Sequence, residues 1–132
     1  MNKSENGFGT ILLVGREPDI ARGTSRALID IGYGVIQVDT PGHALESLRA
    51  QANPIDLIMA AMRFGDMTGP EFIRRQRKDG PLIPVIFYTG GIIEESEKDP
   101  DMVRCIYMYK AFDMDALHQH IQALLNVKAA KT

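Results

Sequence analysis

The feature that most constrains this chain is a set of short runs that are apolar at nearly every position. Thr10-Ile-Leu-Leu-Val14, Leu57-Ile-Met-Ala-Ala-Met62 and Val85-Ile-Phe-Tyr88 show no alternation of apolar and polar residues. A strand with one wet face alternates, whereas an unbroken apolar run reads as a strand covered by helices on both faces. Two further short runs, Gly34 to Val38 and Ile106 to Tyr109, fall into the same series. Between them lie stretches with helical spacing. Pro18 suits a first helical turn, and Ile20, Ala21, Ala27, Leu28 and Ile31 recur until Gly32 stops the helix. Thr40-Pro41 reads as an N-cap and first helical position. Thr68 to Asp79 is a third helix, and Asp113 can cap a last one through Ala116, Leu117, Ile121 and Leu124. The fourth helix is the weak member: Glu94 to Asp101 is strongly acidic, and Pro100 opposes a helical Asp99, so a short or mobile element is expected there.

Strand and helix thus alternate five times, and right-handed crossovers make a doubly wound parallel α/β sheet the economical solution. In such sheets function gathers at the carboxyl edge of the strands. With 132 residues, 45% of them apolar and 24% charged, the chain has the composition of one globular domain. The expected boundaries are a flexible start at 1–9, the domain at 10–127 and a flexible end at 128–132. Cys105 is the lone cysteine, which excludes a disulfide framework and a cysteine zinc site and suits a reducing cytoplasm. The apolar runs fall far short of the roughly eighteen residues of a membrane span. The polar start does not read as a secretory signal. A net charge of -2 argues against non-specific binding to nucleic acid.

Over about Gly9 to Val127 the chain resembles the CheY-like receiver domain of bacterial response regulators. The landmarks are Ile11-Leu-Leu-Val14 before Glu17-Pro18-Asp19, Asp56-Leu-Ile-Met, Met67-Thr-Gly69, Val85-Ile-Phe-Tyr-Thr89-Gly90, and Tyr109-Lys110-Ala111-Phe112. The resemblance implies a flavodoxin-like five-stranded sheet of order 2-1-3-4-5 and a place in two-component phosphorelay signalling. It also implies where the chemistry sits. Gly15 and Arg16 stand where the family carries two Mg²⁺-binding acids, and Ala61 where it carries the phosphoacceptor aspartate. Thr89 and Lys110 keep the matching hydroxyl and ammonium. Ala111 replaces the proline after the lysine, and Tyr107 matches the switch aromatic.

Phosphoryl transfer to a carboxylate needs a nucleophilic oxygen and a divalent cation. An alanine methyl supplies no nucleophile. Exchanging two acids for glycine and arginine removes ligands that a hard cation requires and adds a repulsion of roughly 4 kcal/mol at 4 Å and an effective dielectric of 20. The expectation is a degenerate receiver with no metal, no cofactor and no enzymatic activity, which works as a phosphorylation-independent interaction module in the cytoplasm. Two readings of its pocket stay open. In one, Glu17, Asp66 or Asp19 neutralises Arg16 and Lys110 in a salt-bridged plug. In the other the pocket accepts an anionic ligand through donors that suit phosphate or carboxylate. An atypical phosphoacceptor is a third possibility, although Asp56 lies five positions before Ala61, about 16 Å away by strand rise, and fits a capping role better.

The resemblance further implies a protein partner, or a second copy in a homodimer, on the face of the fourth helix, fifth strand and fifth helix. That face would carry Glu94, Glu95, Glu97, Arg104, Tyr107 and Tyr109, whose acids would meet a basic surface. The cations Arg74, Arg75, Arg77 and Lys78 on the third helix read as a solvated face, or failing that as the seat of an anionic metabolite or cyclic nucleotide. His43 reads as exposed. His118 and His120 point to different helix faces and make no metal pair.

Overall fold

The computed structural model describes residues 8–50, 54–109 and 113–130, the side chains of 18–20 and 126–130 excepted. Five strands, β1(Thr10–Val14), β2(Gly34–Val38), β3(Leu57–Ala61), β4(Val85–Thr89) and β5(Cys105–Tyr109), form one parallel sheet of order β2-β1-β3-β4-β5. The helices are α1(Pro18–Ile31), α2(Pro41–Ala50), α3(Gly69–Asp79) and α4(Met114–Ala130). The last helix runs three residues past the domain boundary expected at residue 127.

The unbroken apolar runs have the predicted cause. β1 and β4 are buried at every position, and side chains of alternate parity feed two cores. Ile11, Leu13, Met59, Ile86 and Tyr88 pack on one face with Leu28 of α1 and Leu117 and Ile121 of α4. Leu12, Val14, Ile58, Phe87 and Phe72 pack on the other with α2 and α3. Burial of each such large side chain contributes about 1.5–3 kcal/mol against its ordering cost.

The helix ends follow from local chemistry. Thr68 and Glu71 form a reciprocal capping box at the start of α3, with Glu71 N to Thr68 Oγ1 at 3.2 Å and Thr68 N to Glu71 Oε1 at 2.9 Å. Thr40 Oγ1 accepts from His43 N in the same manner at α2, at 3.1 Å. Asp56, at the opposite end of β3 from its tip, accepts from Thr10 N at 2.8 Å and so fastens the entrance of β1.

The departure from five helices lies between β4 and β5. The fourth helical segment is a single 3-10 turn at Glu95–Glu97. The acidic run and Pro100 give no apolar stripe to bury, so a short turn satisfies the local backbone where a helix would have nothing to pack.

Candidate functional site

The carboxyl tips of β1, β3 and β4 lie side by side: Val14 pairs with Ala60, and Ala61 with Tyr88. Gly15 follows the tip of β1, and its N–H reaches across to Val38 O at 3.1 Å. The space that a side chain at position 15 would need belongs to Tyr88. The Tyr88 hydroxyl donates to Val14 O at 3.1 Å, and a Cβ on Gly15 would sit 1.9 Å from that oxygen. Burial of the phenol, and after it the charge of Glu17, push Tyr88 up to about 12, so the hydroxyl keeps its proton at neutral pH. Nothing in the sequence alone pairs these two residues; a bulky Tyr beside a missing side chain becomes visible only in the strand register.

Ala61 ends β3 with a methyl group at the sheet edge. Beyond it the chain turns sharply: Arg63 bridges to Thr68, Phe64 N donates to Met67 O at 2.8 Å, and Gly65 adopts φ 94°, a left-handed conformation that suits glycine. Arg16 lies over this turn and donates through Nη1 to Phe64 O at 3.4 Å. Asp66 is exposed in the same turn. The side chain of Asp19 and the whole of Lys110, Ala111 and Phe112 lie outside what is described, so the plug expected around Arg16 and Lys110 lies partly there.

A different arginine dominates the described edge. Arg63 spreads its guanidinium over the start of the β4–β5 connection. Nε and Nη2 grip the Glu97 carboxylate at 2.8 and 2.7 Å, Nη2 also donates to Ile92 O at 3.0 Å, and Nη1 reaches Thr89 Oγ1 at 3.4 Å. Thr89 is buried, and its Oγ1 also accepts from Gly91 N at 3.2 Å. Glu97 additionally accepts from Glu94 N at 2.9 Å; this bond first, and Arg63 after it, hold the carboxyl below the usual glutamate range. Arg63 was not among the residues singled out from sequence. Its position two residues beyond the tip of β3 is the signal that could have found it.

The rest of the connection is fastened by the same chemistry. Asp99 pairs with Arg74 at 2.9 Å and donates its N–H to Tyr107 Oη at 3.1 Å. Tyr107 is half-buried, stacked on Phe87 with centroids 5.3 Å apart, and Lys98 Nζ lies 5.4 Å from its ring centre. Arg77 donates to Val103 O at 2.8 Å and Ile83 O at 2.9 Å. Arg104, at φ 55°, donates to Leu124 O. The cations of α3 are therefore not uniformly solvated: Arg74 and Arg77 hold the connection, because a turn without an apolar face leaves carbonyls and carboxylates for them to satisfy.

This placement sorts the expected partner face. Glu97 and Arg104 are turned onto partners within the chain, whereas Glu94, Glu95 and Tyr109 remain exposed, as does Ile92 at 75%; Glu95 holds only Lys98 of its own turn, at 3.3 Å. His43 is exposed and bonds Asp39 Oδ1 through Nδ1 at 2.8 Å. His118 faces Tyr33 Oη at 3.1 Å. Among the described residues no group of three or more His, Cys, Asp or Glu side chains could hold a metal ion, and no helix is long and apolar enough to cross a membrane. A Mg²⁺ ion implied by the resemblance does not fit the described edge: Gly15 and Arg16 offer no side-chain carboxylate, and the Tyr88 hydroxyl fills the adjoining space.

A fold of this strand order, with its loops gathered at the tips of β1, β3 and β4, is one that signalling receivers share with other flavodoxin-like proteins. The response regulator receiver domain model matches residues 11–122, and the chain belongs to that family. It is 33% identical over 85 residues to the sensor kinase CckA of Brucella abortus, covering 64% of this chain and 9% of that protein. It is 29% identical over 116 residues to the response regulator receiver protein CpdR of the same organism, covering 87% of this chain and 95% of the relative. The chain thus spans a small part of the sensor kinase and nearly all of CpdR. A response regulator receiver protein from Sinorhizobium medicae superposes with a TM-score of 0.76 at 29% identity, over 89% of this chain and 94% of that one.

Proposed function

We propose that this receiver domain takes part in two-component signalling without accepting a phosphoryl group, and acts by binding a protein partner in the cytoplasm. The observation that carries the reading is the Tyr88 hydroxyl, which stands in the space of a side chain at position 15 and leaves no room for an acidic ligand there. Two further features support it. Ala61 offers no attacking oxygen at the tip of β3. Thr89, the hydroxyl that the family uses toward a phosphoryl group, is already engaged by Arg63 and the Gly91 amide. In this reading the strand edge is filled by the chain's own groups, and no enzymatic activity is assigned to it.

The partner face is the β4–β5 connection with β5 and α4. Ile92 supplies an exposed apolar contact, and Glu94 and Glu95 supply exposed negative charge, Glu95 with Lys98 Nζ at 3.3 Å, while Glu97 ties the segment to Arg63. A basic protein surface is the complement, since opposed charges steer docking and set its register. Nucleic acid is not a partner in this reading, because the exposed charge of that face is acidic.

The test is incubation with acetyl phosphate and Mg²⁺ followed by intact-mass measurement. No phosphoryl adduct is expected, and Mg²⁺ should leave the melting temperature unchanged. A stoichiometric adduct would overturn the reading.

A further inference from the structure

The last strand of the sheet, β5, is paired with β4 on one side alone. Val85 N donates to Arg104 O at 3.1 Å, and the register then runs without a break from Val85↔Cys105 to Thr89↔Tyr109. In a strand the N–H and C=O of one residue point to the same side. The backbone groups of Ile106 and Met108 therefore face β4, and those of Cys105, Tyr107 and Tyr109 face outward. Among the described residues, neither a loop nor a side chain returns to these outward groups.

Sheet edges of this kind are ordinarily blunted by charge, proline or a bulge. β5 has none of these: Cys105-Ile-Tyr-Met-Tyr109 is uncharged, and its register is continuous. The opposite edge is shorter. By the same reasoning from Gly34 N to Gly9 O, β2 turns only Val35 and Gln37 outward, and it runs directly into the Asp39–His43 pair. The single turn between β4 and β5 also leaves β5 thinly covered. Every residue of β4 is buried, whereas Cys105, Ile106 and Tyr107 are half-buried and Tyr109 is exposed.

Charge around this edge has one sign. Glu94, Glu95 and Asp101 are exposed in the connection that leads into β5, and Asp113 and Asp115 are exposed where α4 begins. The described cations are occupied: Lys98 lies against Glu95 and over the Tyr107 ring, and Arg104 donates to Leu124 O.

We propose that β5 accepts an extended basic segment of a protein partner as a sixth strand. Alternate residues of the segment pair with the N–H and C=O groups of Cys105, Tyr107 and Tyr109. Its lysines or arginines meet Glu94, Glu95 and Asp101. The backbone ladder selects an extended chain, and the acids select its charge. A second copy of this chain fits less well, because pairing β5 with β5 would set one acidic connection against the other. The proposal rests on the protein-binding reading and names what is bound; phosphoryl transfer does not enter into it.

The experiment is amide NMR with hydrogen exchange on the full chain at low ionic strength. The probe is a peptide of about ten residues alternating Lys and Val, long enough to span the strand. In the free chain the amides of Cys105, Tyr107 and Tyr109 should exchange faster than those of Ile106 and Met108. The peptide should slow those three. The same peptide N-methylated along its backbone keeps the charge and loses the donors, and should bind at least about tenfold more weakly. A Glu-Val peptide should not bind. Tyr109→Pro removes one outward N–H at a position where an edge strand tolerates proline, and should weaken binding roughly threefold beyond Tyr109→Ala. Glu95→Lys with Asp101→Lys should weaken it further. Equal binding of the N-methylated peptide, or equal effects of Tyr109→Pro and Tyr109→Ala, would overturn strand addition and leave the basic-partner reading standing. No binding of either basic peptide up to about 5 mM would overturn both. Concentration-dependent protection of the three amides without peptide would overturn the proposal in favour of a second copy.

Discussion

The two halves of the strand edge are closed in opposite ways. On the β1–β3 side, closure is by packing: Gly15 has no side chain, and the Tyr88 ring and hydroxyl fill the gap under a backbone carbonyl. On the β4–β5 side it is by charge: Arg63 grips Glu97, and Arg74, Arg77 and Arg104 fasten the remainder of a connection that lacks a full helix. Packing of the first kind is close to incompressible, since interiors sit near crystal density. Exposed ion pairs of the second kind are worth little individually and are screened by salt. The first half should therefore behave as part of the global fold, and the second as a locally opening segment.

The largest expected effect tests the packed half. Gly15→Ala places a methyl where the Tyr88 oxygen sits and should destabilise the domain by about 1–3 kcal/mol, the usual range for overpacking. Tyr88→Phe removes that oxygen together with its bond to Val14 O, and alone should cost about 1 kcal/mol. In the Gly15→Ala background the same change should recover stability. Denaturant melts of the four proteins give the coupling energy. Additive effects would mean that the two residues do not share the space.

The contrast between the halves also decides what could be read from sequence. The sheet was legible because parallel strands buried on both faces leave unbroken apolar runs, and Thr10 to Val14 and Val85 to Tyr88 fall in strands where those runs predict them. The family was legible because its landmarks keep their order along the chain. Gly15, Arg16 and Ala61 could be placed at the strand tips for the same reason. Tyr88 and Arg63 could not be given their roles. Which side chain fills the space beside Gly15 depends on the register of β4 against β3, and which acid answers an arginine depends on how a non-helical connection folds back. Neither quantity has a period along the chain. The fourth crossover shows the same limit: its acidic run and Pro100 announced a weak helix, whereas the ring of arginines that replaces helix packing became visible only in three dimensions.

The clasped half is tested by Arg63→Met, which keeps the aliphatic stem and removes the fork. The melting temperature should move little. Hydrogen exchange at the amides of Glu94, Glu97 and Lys98, which are bonded within the 3-10 turn, should accelerate selectively. Glu97→Gln should give a smaller acceleration, because an amide oxygen still accepts from Arg63 but without the charge. Unchanged exchange in both variants would show that the turn holds itself, and that the two halves do not differ in the way proposed.

The smallest effect belongs to the outer edge beyond β2, where closure depends on pH. The bond to Asp39, and after it the Asp39 charge, raise His43 above its ordinary 6.5. The bond from His43, chief among several causes, lowers Asp39 below its ordinary 3.8. The stability contributed by His43 is fully present below its unfolded value and is lost as pH rises through its raised folded value. The contribution of Asp39 is present above its unfolded value and is lost as pH falls through its depressed one. The difference in melting temperature between the native chain and His43→Ala should therefore be greatest between pH 3.8 and 6.5, shrink on either side, and diminish with added salt. A difference that is flat from pH 5 to pH 9 would assign His43 to packing alone, and would place the β2 edge with the packed half of the tip.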